Sequence, residues 1–234
     1  RPKSSAASDV YKRQIEDPRA EPGMVVIDVK AAGVSFPDVL IVQGKYQFQP
    51  PFPFSPGGEI AGVISEVGEG VADWKEGDRV IAMVGNGGIA EKTSAYAATL
   101  MPLPESMDFK DGAAFPLNYG TTYYALKQRG ELKKGETLLV TGAGGGVGTT
   151  AIEIGKAMGA RVIAAASNQE KLDIAKRLGA DEVVNYGDGE LKEKVKELTD
   201  GLGADVIYDA VGGDIFLQCM RCINWKGRVL VIGL

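Results

Sequence analysis

The sequence predicts an α/β fold: a doubly wound parallel sheet in the C-terminal half, preceded by a β-rich half. Three observations carry this. From Gly135 onward, apolar strand-like runs alternate with helix-period segments, the pattern that builds a parallel sheet covered by helices on both faces. Before Pro104, similar runs are separated by turns alone. A glycine-rich segment, Gly142–Gly148, joins one strand directly to one helix.

In chain order, residues 1–14 (RPKSSAASDVYKRQ) are polar and aperiodic, and resemble translated adapter sequence. They are expected to be a non-native leader. Residues 15–106 form the β-rich half, with strands at Met24–Lys30, Ile60–Val67 and Arg79–Met83. Pro50, Pro51, Pro53 and Pro56 crowd one connection, which is expected to run irregularly over the surface. Residues 107–234 form the second half. Its opening stretch, Asp108–Arg129, reads as mainly helical, with one helix beginning at Phe109–Ala114 and another at Tyr119–Tyr124. Strands follow at Thr137–Thr141, Arg161–Ala166, Glu182–Asn185, Asp205–Asp209 and Arg228–Ile232. Helices lie between them at Val147–Met158, Gln169–Leu178, Leu191–Thr199 and Ile215–Ile223. The chain stops directly after an apolar strand, so both halves are expected to be partial.

Composition narrows the function classes. The 234 residues are 44% hydrophobic and 24% charged, which is ordinary for a globular protein. A net charge of -5 leaves no basic footprint for nucleic acid. No run of 18 apolar residues and no secretory pattern is present, so a cytoplasmic protein is expected. Cys219 and Cys222 lie three apart in a segment that reads as helix. With no histidine and no third cysteine, a zinc site is disfavoured and two half-buried thiols are expected. The absence of histidine also removes Ser-His and Cys-His nucleophile systems.

The glycine segment names a ligand class. Strand, glycine-rich turn, helix and second strand follow at the spacing of a dinucleotide-binding βαβ unit. Glycines let backbone N–H groups approach a pyrophosphate at a helix N-terminus. The first fingerprint position is alanine, Ala143-x-Gly145-x-x-Gly148. A ligand-free tight turn is the competing reading, and the flanking strands argue against it. About 20 residues past such a turn, an acidic residue usually marks a site for NADH. Here the second strand ends in Ala166-Ser167-Asn168, and Lys171 follows one helical turn on. That set would accept a 2′-phosphate, so NADPH is expected; an ordinary solvated lysine, paired with Glu170 or Asp173, is the alternative.

Several segments together are similar to one family. Ala31–Asp38 (AAGVSFPD), Gly44-Lys45-Tyr46 with Pro51–Gly57, Val67–Val71 (VGEGV), Gly77–Val80 (GDRV) and Gly203–Gly212 (GAD…DAVG) resemble the zinc-independent quinone oxidoreductase branch of the medium-chain dehydrogenase/reductase family. The likeness runs from Ile15 to Leu234. It implies a GroES-like catalytic domain, a Rossmann nucleotide domain, a cleft between them, and a homodimer when full length. It places Thr121 near the nicotinamide or its ribose, and Ala143, Gly145, Gly146, Val147 and Gly148 along the pyrophosphate turn. Ser167 and Lys171 would meet the 2′-phosphate and Tyr186 the adenosine phosphate, with a strand-end aromatic covering the core edge as the competing reading of Tyr186. Val211, Gly212, Ile232 and Gly233 would pass the nicotinamide with their backbones.

At the reacting end, Tyr46 resembles the branch's cleft tyrosine, either a donor to a carbonyl oxygen or only an aromatic wall. Ser35 stands where the branch has asparagine and offers one hydroxyl donor in place of two amide donors. Asp38 could orient the loop, but is expected to cap the helix that starts at Phe36. The implied activity is NADPH-dependent hydride transfer to a quinone or another α,β-unsaturated carbonyl compound, without zinc. A 2-enoyl thioester reductase and a non-catalytic, crystallin-like NADPH-binding protein are the alternatives.

Overall fold

The computed structural model describes residues 14–187 and 189–233. The expected leader, apart from Gln14, lies outside them. The chain divides into two compact units between Leu117 and Asn118.

The first unit is built on an antiparallel sheet of β1 (Met24–Gly33), β2 (Glu59–Val67), β3 (Arg79–Met83), β4 (Lys92–Tyr96) and β5 (Met101–Pro102), in the order β4-β1-β2-β3-β5. Alternation splits its side chains between two faces. Val25, Ile27, Ile60, Ile64, Val80 and Ala82 fill one cluster. Ala61 and Ile81 join Leu103 and Ala113 in the other. A short helix, α1 (Phe36–Val42), follows β1 with Pro37 in its first turn, where a missing N–H costs nothing. Strands β4 and β5 lie outside the expected strands. Lys92–Tyr96 (KTSAY) carries only a weak alternation, and it forms because β1 presents an edge to pair with.

Helix α2 (Phe109–Tyr123) carries the division between the units. Two helices were expected here; one forms, running through Pro116. Its continuation, Tyr124–Arg129, widens to a π-helix closed by the Gly130 N–H on the Ala125 carbonyl at 2.7 Å.

The second unit holds five parallel strands: β6 (Thr137–Thr141), β7 (Arg161–Ala166), β8 (Glu182–Asn185), β9 (Ala204–Asp209) and β10 (Ile223–Val231), in the order β10-β9-β6-β7-β8. Strand β6 is central and buried on both faces, hence its nearly unbroken apolar run TLLVT. Leu138, Val140, Val162, Ala164, Val206 and Tyr208 point to one face, beneath α3 (Gly146–Ala157) and α4 (Gln169–Arg177). Leu139, Ile163, Ala165 and Ile207 point to the other, beneath α5 (Leu191–Leu198) and α6 (Gly213–Cys219). This is the expected doubly wound sheet, and the strand order reverses beside β6, where such sheets form their ligand crevice.

Two local expectations change. The helix expected over Ile215–Ile223 ends at Cys219. The Cys222 carbonyl already accepts the Ala204 N–H at 2.9 Å, which commits the chain to the edge of β9 and opens β10 at Ile223. Both thiols are fully buried rather than half-buried. Burial pushes Cys219 strongly up and Cys222 up to about 11.

Candidate functional site

The turn after β6 is shaped by its neighbours. Gly142 adopts φ +65°, a left-handed conformation, and a Cβ there would stand 3.2 Å from Val211 Cγ2. Gly148 lies against the turn itself: a Cβ on it would fall 2.2 Å from the Gly142 carbonyl oxygen. A Cβ on Gly146 would meet the Asn118 side chain at 2.7 Å, whereas one on Gly145 meets nothing nearer than 3.4 Å. Ala143 departs from the glycine pattern without strain. Its φ is not positive, its methyl is buried in the core beneath α3, and its N–H bonds the Ala165 carbonyl at 3.1 Å.

Helix α3 starts at Gly145 with no side-chain cap. The first hydrogen bond of its backbone is Thr149 N–H to the Gly145 carbonyl at 2.9 Å. The amides of Gly146, Val147 and Gly148 precede that bond and have no partner among the described residues, as is usual for the first turn of a helix.

The other strand ends converge on the same edge of the sheet. After β7, Ser167 is exposed, and Asn168 caps α4 by accepting the Lys171 N–H at 3.0 Å. The Lys171 stem lies over the glycine turn, since a Cβ on Gly144 would meet Lys171 Cγ at 2.5 Å. Asp173 is engaged by Gln169 at 2.8 Å, and Lys171 forms no ion pair with a described residue. After β8, Tyr186 packs on the core edge and its hydroxyl meets Ser167; burial, the larger effect, pushes the phenol up. After β9, Asp209 is buried and accepts the Val211 N–H at 3.2 Å and the Gly212 N–H at 3.2 Å. After β10, the Ile232 N–H bonds the Asp209 carbonyl at 2.8 Å, and Gly233 follows at φ +81°. Thr121 lies on α2 and is partly buried. Its neighbour Thr122 is the engaged residue, bonding Thr150 at 2.8 Å and Tyr208 at 2.9 Å, with Tyr208 pushed up to about 12 by burial.

The first unit carries its own cavity, of about 150 Å³, lined by Ser35, Asp38, Tyr46, Glu59 and Leu117 among others. Asp38 does more than cap α1. Its Oδ2 accepts the Ser35 N–H at 2.8 Å and the Ser35 hydroxyl at 2.9 Å, while Oδ1 accepts the Gly57 N–H at 2.9 Å and so holds the proline-rich loop. The single hydroxyl hydrogen of Ser35 is thereby directed at Asp38, which leaves Ser35 as an acceptor toward the cavity. Glu59, the first residue of β2, is 2% exposed and accepts the Leu117 N–H at 3.0 Å. Neither Glu59 nor Asp209 is among the expected site residues. The signal for Glu59 was a lone carboxylate opening an otherwise apolar strand, EIAGVI.

Comparison with known proteins gives the family. Residues 21–105 match the alcohol dehydrogenase GroES-like domain, and residues 146–234 match the family described as zinc-binding dehydrogenase. A probable oxidoreductase from Mycobacterium abscessus superposes with a TM-score of 0.90 at 40% identity, over 99% of this chain and 73% of that one. The chain belongs to the medium-chain dehydrogenase/reductase family. Within that family it is 43% identical to a quinone oxidoreductase-like protein 2 homolog from Nematostella vectensis, over 89% of this chain and 58% of that protein. It thus spans about three fifths of the length of such curated relatives. The quinone oxidoreductase from Thermus thermophilus, also solved with NADPH, matches 94% of this chain and 68% of that one, with a TM-score of 0.82 at 36% identity. The CurK enoyl reductase matches over 97% of this chain and 71% of that one, with a TM-score of 0.91 at 28% identity.

Proposed function

We propose that this protein is an NADPH-dependent oxidoreductase that reduces quinones or other α,β-unsaturated carbonyl compounds by hydride transfer, without zinc. One observation carries the reading: the uncapped N-terminus of α3 lies beside Lys171, and no carboxylate stands at the tip of β7. The residues present fit the cofactor, because the first three amides of α3 are without partners among the described residues and a Cβ on Gly145 would meet nothing nearer than 3.4 Å.

The amides of Gly146, Val147 and Gly148 would hold the pyrophosphate, with Ala143 and Gly145 shaping the turn. Ser167 and Lys171 would hold the 2′-phosphate, with Tyr186 alongside Ser167. The backbones of Val211, Gly212, Ile232 and Gly233, together with Thr121, would orient the nicotinamide end, which supplies the hydride when bound. In the other unit, the Tyr46 hydroxyl would hydrogen-bond the acceptor oxygen and stabilise its developing charge, aided by a backbone N–H. Ser35 is the weaker candidate for that donation, since its hydrogen is directed at Asp38. The zinc-free reading is supported by donor chemistry: there is no histidine, and both thiols lie in the core. We also propose a cytoplasmic location and a homodimeric full-length protein. Among the described residues no helix is long and apolar enough to cross a membrane.

The likeness to an enoyl reductase supports one second reading, reduction of 2-enoyl thioesters. A single assay separates the two: oxidation of NADPH and NADH with 1,4-quinones, alkenals and crotonyl-CoA. Preferred turnover of quinones or alkenals with NADPH supports the first reading, and preferred turnover of crotonyl-CoA supports the second. Tight NADPH binding without turnover of any acceptor would make the protein a non-catalytic binder.

A further inference from the structure

The fold buries Glu59 beside the cavity of the first unit. It opens β2 between two partners, Gly33 of β1 and Met83 of β3, and it is buried there. Room for its carboxyl comes from Gly33, where a Cβ would stand 2.7 Å from Glu59 Oε1. The polar side chains that line the cavity with it are Ser35, Asp38 and Tyr46; no lysine or arginine does. Two buried carboxyls therefore share one small cavity with no cationic side chain between them among the described residues.

Their support is unequal. Asp38 receives three donors, the Ser35 N–H, the Ser35 hydroxyl and the Gly57 N–H, whereas Glu59 receives one, the Leu117 N–H. When two carboxyls in one site have different environments, the less supported one keeps the proton.

We propose that Glu59 is the acid of this cavity, the group whose proton goes to the acceptor oxygen as the hydride reaches the conjugated carbon. This rests on the reductase reading above. The hydride carries two electrons from the reduced nicotinamide to the conjugated carbon, and the π pair shifts onto the carbonyl oxygen. The Glu59 O–H bond breaks as the new O–H bond forms, and the resulting carboxylate regains a proton from water. Burial, and secondarily the charge of Asp38, push the Glu59 carboxyl up, in keeping with that role.

The test compares wild type with Glu59→Gln, which still accepts the Leu117 N–H, and with Glu59→Asp. In Glu59→Gln, kcat with a quinone or enone is expected to fall about 100-fold or more while NADPH affinity holds, and Glu59→Asp should recover part of the loss. The decline of wild-type kcat at high pH should disappear in Glu59→Gln. The infrared spectrum of the protein alone at neutral pH should carry a protonated-carboxyl band that Glu59→Gln lacks. An unchanged kcat, or no such band, overturns the proposal. If wild type reduces no acceptor, the reductase reading fails by itself. The band then decides Glu59: a shift on adding a 1,4-quinone upholds it as the cavity's donor, and a missing or unmoved band overturns it.

Discussion

The Asp209 carboxylate accepts the Thr141 hydroxyl at 2.5 Å, which ties together the last residues of two neighbouring parallel strands. The same carboxylate takes the amides of Val211 and Gly212, so one buried group positions the loop that packs on Gly142. Replacing it by alanine strands a hydroxyl and two amides at once. Asp209→Ala should lose about 2 to 3 kcal/mol of stability, and Asp209→Asn less. Urea denaturation reads the stability, and NADPH titration should show weaker binding in both. An alanine variant with wild-type stability would mean that water satisfies these groups.

The glycine turn separates folding from binding. In Gly148→Ala, the new methyl would collide with backbone, the Gly142 carbonyl oxygen, at 2.2 Å. Helix α3 would have to lift off the turn, and a loss of about 3 kcal/mol or failure to fold is expected. In Gly145→Ala, the methyl meets nothing nearer than 3.4 Å, and φ is -91°, which alanine adopts freely. That variant should keep its melting temperature yet bind NADPH at least about tenfold less tightly, because the methyl occupies the space a pyrophosphate needs. Equal effects of the two substitutions on stability would refute this division.

This contrast shows what was legible beforehand. The alternation of strands and helices after Gly135 identified the parallel sheet because buried parallel strands are nearly uninterrupted apolar runs. The turn glycines were visible because backbone approach excludes side chains. The α6–β10 junction was not, since Cys222 pairs with β9 through its carbonyl, an interaction that side-chain periodicity does not record. Strand β4 was missed because its stability comes from the edge of β1 rather than from its own residues. Glu59 was missed for a different reason. Its chemistry arises from a segment far away in sequence, Leu117 reaching Glu59.

Lys171 sets a prediction about cofactor choice. Its stem lies along Gly144 and its ammonium is free of ion pairs with described residues. Lys171→Ala should reduce the preference for NADPH over NADH by about tenfold, the size of one charge-assisted hydrogen bond at an exposed site. The effect should shrink at high salt, where an exposed pair is screened. Measured kcat/KM for the two cofactors checks it, and an unchanged ratio would sink the assignment.

The two thiols make a prediction about reactivity. Cys219 and Cys222 are both 0% exposed, and burial holds each in its neutral form. With Cys222 pushed up to about 11, roughly one thiol in a thousand is ionised at pH 8. Native protein should therefore resist alkylating and disulfide-exchange reagents, and both thiols should become reactive together at the urea midpoint of unfolding. Fast labelling of folded protein would show that α6 opens independently of the sheet.

Glu59 also makes stability depend on pH with a definite sign. Its carboxyl is pushed up in the folded protein, mainly by burial, from an ordinary value of 4.5. Below that value both folded and unfolded chains carry the proton, and Glu59 has no effect on the pH dependence. As pH rises through it, the unfolded chain releases the proton while the folded protein retains it. The unfolded state then binds fewer protons, so stability falls with pH until the folded-state value is passed. Glu59→Gln has no proton to lose and should escape this decline. Other groups act in the opposite direction: Glu136, held down chiefly by its hydrogen bond from Arg228, adds stability above the ordinary glutamate range. Such groups are common to both proteins and cancel in the comparison. Urea unfolding of the two at a series of pH values between about 4 and 8 should therefore show the glutamine variant gaining on wild type as pH rises. Parallel curves would mean that Glu59 ionises alike in both states and would remove the basis for its role as an acid.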